Sequence, residues 1–163
     1  MPEAVLAAVF ADITQEVSKR ASTESLWKGR RVILVDGTCV SMPDLPELQE
    51  AFPQPEAQKR GCGFPVARLV ALFCWSCGAI LSFRIGSLHD GEIVIFRMLL
   101  DMFMLGDVML ADRHYSSYAD IVRLKRLGVD VVFRMNQTRP ADFRAGKSLG
   151  PEDRVVIWRK PTK

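Results

Sequence analysis

Residues 106–118 read GDVMLADRHYSSY, and this stretch places four apolar residues between two aspartates. A short apolar run bounded by turn residues is typical of a strand that is buried on both faces. Ser116 or Ser117 can cap a following helix, and Gly128 can end it. Asp112 is therefore expected at the carboxyl end of a buried strand, where open α/β sheets place their binding sites.

An earlier stretch has the same construction. Residues 32–38 read VILVDGT, so a second apolar run leads directly into Asp36. Two isolated carboxylates on buried strands suggest a common purpose, such as a shared divalent metal ion. Either aspartate alone is also explained as a turn former or a helix cap.

The bulk properties indicate one globular domain. The chain has 163 residues, 48% of them hydrophobic, with a net charge of +3 that is concentrated in the C-terminal third. This surplus favours contacts with phosphate groups. The longest uncharged run, residues 69–83, is shorter than the roughly 20 residues that span a bilayer. With no signal-peptide pattern at the start, we expect a cytoplasmic protein without a membrane partner.

Hydrophobic periodicity predicts the order of the elements. A helix is expected over residues 3–20 and a strand over 31–36, followed by a long irregular loop over 37–65 in which residues 47–52 can form one helical turn. Two further strands, at about 67–75 and 79–86, should form a hairpin.

The second half alternates helices and strands. Asp90 can cap a helix that ends before Gly106, and the strand before Asp112 and its helix come next. Further strands are expected over residues 129–134 and 155–159. Three strands followed by alternating helices and strands form the layout of the ribonuclease-H-like fold, an α/β fold with a mixed sheet and flanking helices. Its first and fourth strands are neighbours, which would bring Asp36 and Asp112 together.

These features resemble the DDE transposases of bacterial insertion sequences, in particular the large IS-four-type family. The matching pieces are Asp36 with its Gly-Thr, the GCGFP of residues 61–65, Glu92, and the GDVMLADRHY of residues 106–115. They occur in family order over about residues 30–140.

The resemblance implies an enzyme that cuts DNA at transposon ends and joins the freed 3′-hydroxyl to target DNA. It implies that Asp36 and Asp112 are the first and second catalytic acids and metal ligands, with two ions of Mg²⁺ or Mn²⁺ in the complete enzyme. It also implies a homodimer in the full-length synaptic complex and an association with the nucleoid.

The third acid of the family is a glutamate in a later segment that also carries tyrosine, arginine and lysine. Glu152 is the only glutamate after Asp112, and no tyrosine lies near it. We therefore expect a fragment, truncated before the third catalytic acid and inactive on its own. Its parts would be the end of an N-terminal helical region (1–28), a partial ribonuclease-H-like core (29–150) and the start of a β insertion (151–163).

Three arginines are candidates for binding DNA. Arg113 follows the second acid and could contact a phosphate or pair with a neighbouring carboxylate. Arg134 resembles a basic position of the family and could hold the DNA backbone or simply end a solvated strand. Arg139 lies in the basic loop that follows.

Two other functions remain open at this point. One is a self-contained ribonuclease-H-like nuclease, which would need a third carboxylate within this chain, with Glu92 or Asp90 as the candidate. The other is an inactive transposase remnant that binds DNA.

Overall fold

A five-stranded mixed sheet forms the centre of the protein. The computed structural model describes residues 2–59, 61–135 and 143–160. The strands of the sheet are β1 (Val32–Ser41), β2 (Val66–Cys74), β3 (Ile80–Ser87), β4 (Val108–Ala111) and β5 (Asp130–Phe133). Their order is β3-β2-β1-β4-β5, with antiparallel pairing on the β2 side of β1 and parallel pairing on the β4 side. This confirms the predicted ribonuclease-H-like arrangement, in which the first and fourth strands are neighbours.

Strand β1 is longer than predicted. A strand end at Asp36 is wrong, because β1 continues to Ser41 in antiparallel pairing with β2, as far as the pair of Ser41 with Val66. Four of the five added residues are exposed, and Val40 is the only aliphatic one, so no apolar run identifies them in the sequence. The parallel pairing with β4 does stop before Asp36, since its last pair is Val35 with Ala111.

The hairpin of β2 and β3 confirms the two strands predicted after the loop. The loop itself is only partly irregular. It contains the extension of β1 and the short helix α2 (Pro46–Ala51), which confirms the helical turn expected near residues 47–52. Helix α2 begins with a proline at a position where a missing N–H costs nothing.

Helix α3 (Glu92–Arg97) is shorter than predicted, and Asp90 does not cap it. The cap position is Gly91, without a side-chain cap. The carboxylate of Asp90 instead accepts a hydrogen bond from the backbone N–H of Ser87 (2.8 Å), which closes the turn after β3.

The stretch around β4 folds as the sequence indicates. Asp112 follows β4 directly, and the Ser117 hydroxyl caps helix α4 (Tyr118–Arg126) by accepting from the N–H of Asp120. Gly128, with φ of 74°, then ends the helical segment in a conformation that favours glycine.

The last predicted strand is displaced. A strand over residues 155–159 is wrong, since the regular pairing there is a two-stranded ribbon of β6 (Lys147–Ser148) and β7 (Arg154–Val155). The cross-strand partners of β7 are two exposed residues that carry no apolar signal, so its position follows from the hairpin turn and not from hydrophobicity.

The core lies on one face of the sheet. The buried residues of α3 and α4 pack there against the inward side chains of the central strands. Helix α1 (Glu3–Ser18) confirms the predicted first helix. It contacts the β2–β3 hairpin, where its Phe10 ring packs edge to face on the Phe83 ring of β3 with a centroid distance of 5.2 Å. No helix among the described residues is long and apolar enough to cross a membrane.

An ion pair between an exposed arginine and a buried aspartate joins the two core helices. Arg97 of α3 donates two hydrogen bonds to the carboxylate of Asp120 in α4, at 2.8 and 3.0 Å. Asp120 has no exposed surface, and Arg123 approaches the same carboxylate at 3.3 Å. The helix positions therefore depend on a carboxylate that is removed from water.

We expect Asp120→Ala to lower the free energy of unfolding by about 2 kcal/mol, because it removes two charge-assisted hydrogen bonds that Arg97 donates to a buried carboxylate. The matched control is Asp130→Ala, which removes a more exposed carboxylate that pairs with Arg30 and Lys125. That change should cost at most about 1 kcal/mol. Urea denaturation of both variants measures the difference, and equal losses would contradict this account.

Candidate metal and nucleic-acid site

Asp36, Asp112 and Arg134 lie in one row across three parallel strands. The last paired row consists of Val35 in β1, Ala111 in β4 and Phe133 in β5, and each of the three residues follows one of these directly. Neighbouring strands are about 4.8 Å apart, and residues in the same register project from the same face. The backbone at Asp112 is still extended, so this alternation continues to the aspartate. The register thus brings the two predicted acids side by side.

The two carboxylates have similar surroundings. Each accepts one local backbone hydrogen bond, Asp36 from Gly37 N (2.9 Å) and Asp112 from His114 N (2.7 Å). Both side chains are exposed, and neither takes part in an ion pair within the part of the chain that the structure describes. Two neighbouring negative charges without a cation are an arrangement that a divalent ion can neutralise.

Tyr115 lies behind this pair and is buried, a position that its place in the motif does not by itself predict. Its hydroxyl donates a hydrogen bond to Glu92, the first residue of α3, and its ring packs edge to face on Phe96 at 5.3 Å. Burial raises the pKa of Tyr115 well above its usual range. The Glu92 hydrogen bond raises it further, as do the negative charges of Glu92, Asp36 and Asp112. The phenol is therefore neutral and acts as a donor.

Gly37 provides the space for this hydrogen bond. A Cβ atom at Gly37 would lie 2.4 Å from Glu92 Oε1 and 2.6 Å from its Cδ, so the Glu92 carboxylate rests directly on the backbone beside Asp36. The reason for glycine in the Asp-Gly-Thr motif is thus a close approach of a side chain from another element.

No third carboxylate joins the two aspartates in the part of the chain that the structure describes. Among residues 2–59, 61–135 and 143–160, no three His, Cys, Asp or Glu side chains gather closely enough to hold a metal ion. Glu92 is engaged by Tyr115, and Asp90 by the N–H of Ser87. The self-contained nuclease therefore finds no support in the described residues.

Of the three predicted DNA-binding arginines, the structure describes two, and both lie at the end of the sheet that carries Asp36 and Asp112. Arg113 and Arg134 are exposed and directly follow Asp112 and the end of β5. Neither has an ion-pair partner within the described segments, so the alternative pairing of Arg113 with a carboxylate is not observed. Arg139 lies outside the described residues.

We expect Asp36→Asn and Asp112→Asn each to raise the free energy of unfolding in metal-free, low-salt buffer, by up to about 1 kcal/mol. Asparagine keeps the oxygen that accepts the local hydrogen bond, while the repulsion between neighbouring charges disappears. The control is Asp107→Asn, which weakens a two-pronged bond to Arg31 (2.9 and 2.7 Å) and should destabilise the chain. Thermal unfolding with a chelator decides, and destabilisation by all three changes would contradict this account.

Comparisons with known proteins agree with the motif. A family model described as the transposase DDE domain matches residues 27–160, a range that includes both aspartates and Glu92. Among curated proteins, none matches the sequence.

Two solved structures share a low similarity with this chain. The Mos1 transposase paired-end complex with left transposon end is 12% identical with a TM-score of 0.38, over 75% of this chain and 39% of that chain. The Mos1 strand transfer complex is 13% identical with a TM-score of 0.41, over 79% and 40%. This chain thus spans about two-fifths of the solved chains that it matches.

The family model extends over most of the sequence and over every element of the central sheet. By that match, the chain belongs to the family of the transposase DDE domain.

Proposed function

We propose that this chain is part of the catalytic core of a DNA transposase, in which Asp36 and Asp112 are the first and second metal-binding acids. The observation that carries the proposal is the pair of unneutralised carboxylates that follow the last paired row of β1 and β4. The reaction would be cleavage of a DNA strand at a transposon end and transfer of the 3′-hydroxyl to target DNA. Such an enzyme would act on the DNA of the nucleoid, with two copies in the synaptic complex.

Transposases of the DDE family generally depend on divalent metal ions. The two aspartates fit such an ion, because they offer only hard carboxylate oxygens and are accessible from solvent. We propose Mg²⁺ or Mn²⁺, with two ions in the complete site and at least one further ligand beyond these two carboxylates. The ions would activate the attacking oxygen and neutralise charge on the leaving oxygen of the phosphodiester.

The residues of the chain would divide the remaining work. Asp36 and Asp112 would fix the position of the ions relative to the strand ends. Arg113 and Arg134 would neutralise phosphates on either side of the scissile bond, and Arg139 belongs to the same proposed group. Contacts of this kind orient the backbone without reading its sequence.

We also propose a division of the chain into an N-terminal helical region (1–28), a core and the start of a β insertion. The boundary between core and insertion that the sequence predicts, at residue 150, falls in the turn of the β6–β7 ribbon. In this turn Leu149 N donates to Asp153 O (2.8 Å). Since a ribbon is one unit, the insertion in this proposal begins before Lys147.

The metal proposal predicts that Asp36→Asn and Asp112→Asn each weaken Mn²⁺ binding at least tenfold, because each removes an anionic ligand from a shared ion. The control is Asp101→Asn, an exposed aspartate in the turn after α3. Electron paramagnetic resonance of free Mn²⁺ gives the affinities. Equal affinity in the wild-type chain and both site variants would overturn the proposal.

The DNA proposal predicts that Arg134→Ala weakens binding to duplex DNA of any sequence and reduces the dependence of log affinity on log salt by about one. Lys125→Ala is the control, because Lys125 pairs with Asp130 at the opposite end of β5. Fluorescence anisotropy at several salt concentrations makes the comparison. An equal loss in the two variants, or binding that is insensitive to salt, would contradict the proposed surface.

A further inference from the structure

The carboxylate of Glu92 touches both halves of the candidate site without joining it. On one side, it rests on the Gly37 backbone, one residue after the first acid. On the other side, it accepts the hydrogen bond of Tyr115, three residues after the second acid. The segments that follow Asp36 and Asp112 therefore meet at one carboxylate.

The contact with β1 is close enough to constrain the backbone. Gly37 does not adopt a positive φ, so its backbone conformation does not require glycine. Glycine is required because Glu92 occupies the space that a Cβ atom would fill. The same Gly37 donates its N–H to Asp36 Oδ1 at 2.9 Å. A shift of Glu92 would thus reach the peptide that orients the first acid.

The contact with the second acid runs through a short turn. The N–H of Tyr115 donates to the carbonyl of Asp112 at 3.3 Å, and His114 N donates to the Asp112 side chain. Tyr115 is 2% exposed and its ring packs against Phe96, so the direction of its hydroxyl is set by the packing of the ring. Tying that hydroxyl to α3 fixes the turn that carries Asp112.

We infer that Glu92 and Tyr115 are positioning residues for the two aspartates, and that Glu92 acts through its hydrogen bond and is not a third metal ligand. The inference rests on the proposed function, because it assumes that Asp36 and Asp112 hold the ion. Two like charges repel each other before the metal arrives, and a rigid support for both backbones maintains the spacing that a shared ion requires. Partners of this outer kind affect metal affinity by about 10- to 100-fold.

Four variants of the full chain distinguish a Glu92 that acts through its hydrogen bond from a Glu92 that binds the metal. Glu92→Gln removes the negative charge but keeps an oxygen that can accept the hydrogen bond from Tyr115. Glu92→Ala removes the charge and the accepting oxygen. Tyr115→Phe removes only the hydroxyl and leaves the ring on Phe96. The fourth variant combines Glu92→Ala with Tyr115→Phe.

The measurement is the affinity for Mn²⁺ alone, at a temperature at which circular dichroism shows each variant to be folded. We expect Glu92→Gln to bind within about threefold of the wild-type chain, and Glu92→Ala and Tyr115→Phe each to lose about tenfold. The double variant should lose no more Mn²⁺ affinity than the single variant with the larger loss, because both changes break the same hydrogen bond. A loss in Glu92→Gln as large as that in Asp36→Asn would make Glu92 a ligand and overturn the inference. Unchanged affinity in Tyr115→Phe would overturn it as well.

Matched controls exclude a general loss of structure. Tyr118→Phe removes the other tyrosine hydroxyl, three residues further on, and should leave Mn²⁺ affinity unchanged. Gly37→Ala should reproduce the loss of Tyr115→Phe by displacing Glu92, while Gly91→Ala places a Cβ at an ordinary 3.7 Å from its nearest neighbour and should be silent. Equal effects of the two glycine variants would contradict the inference.

The failure of the inference differs from the failure of the proposed function. If Asp36→Asn binds Mn²⁺ as tightly as the wild-type chain, the proposed metal site itself is wrong. If Asp36→Asn loses binding while Tyr115→Phe does not, the site stands and only the positioning role is wrong.

Discussion

The parallel register between β1 and β4 is the constraint on which the rest of this structure depends. The pairing of Val35 with Ala111 sets the two following aspartates side by side, although 76 positions of sequence separate them. A shift of one residue would turn one of the two carboxylates to the opposite face of the sheet, because side chains alternate along a strand. The buried apolar runs before both aspartates resist such a shift, since it would also expose Ile33 and Met109, which are at most 1% exposed.

The aspartates at the two ends of the parallel strands differ in whether they form ion pairs. At the amino ends, Asp107 and Asp130 are each bonded to an arginine, and the bond to Asp107 raises the pKa of the Arg31 guanidinium. At the carboxyl ends, Asp36 and Asp112 have exposed carboxylates and no ion pair within the described residues. Neutralising one end stabilises the fold, whereas the bare end keeps charge available for a ligand. Charge left unpaired at a cost to stability is a common feature of functional sites.

The sequence was informative where local signals coincide and less so where the structure depends on distant contacts. Around β4, an apolar run, the Ser117 cap and Gly128 all agree, and the structure matches the prediction there. The extension of β1 could not be seen, because its exposed residues have no hydrophobic period and are held by β2. The Glu92–Tyr115 bond joins residues 23 positions apart, so only the folded chain reveals why the motif contains its glycine and its tyrosine.

A crystal structure of this chain with Mn²⁺, located by its anomalous scattering, tests the central claim most directly. The expected result is a manganese ion bound by carboxylate oxygens of both Asp36 and Asp112 at about 2.2 Å, with Tyr115 still bonded to Glu92. Manganese bound to Glu92, or to only one of the two aspartates with the other turned away, would contradict it.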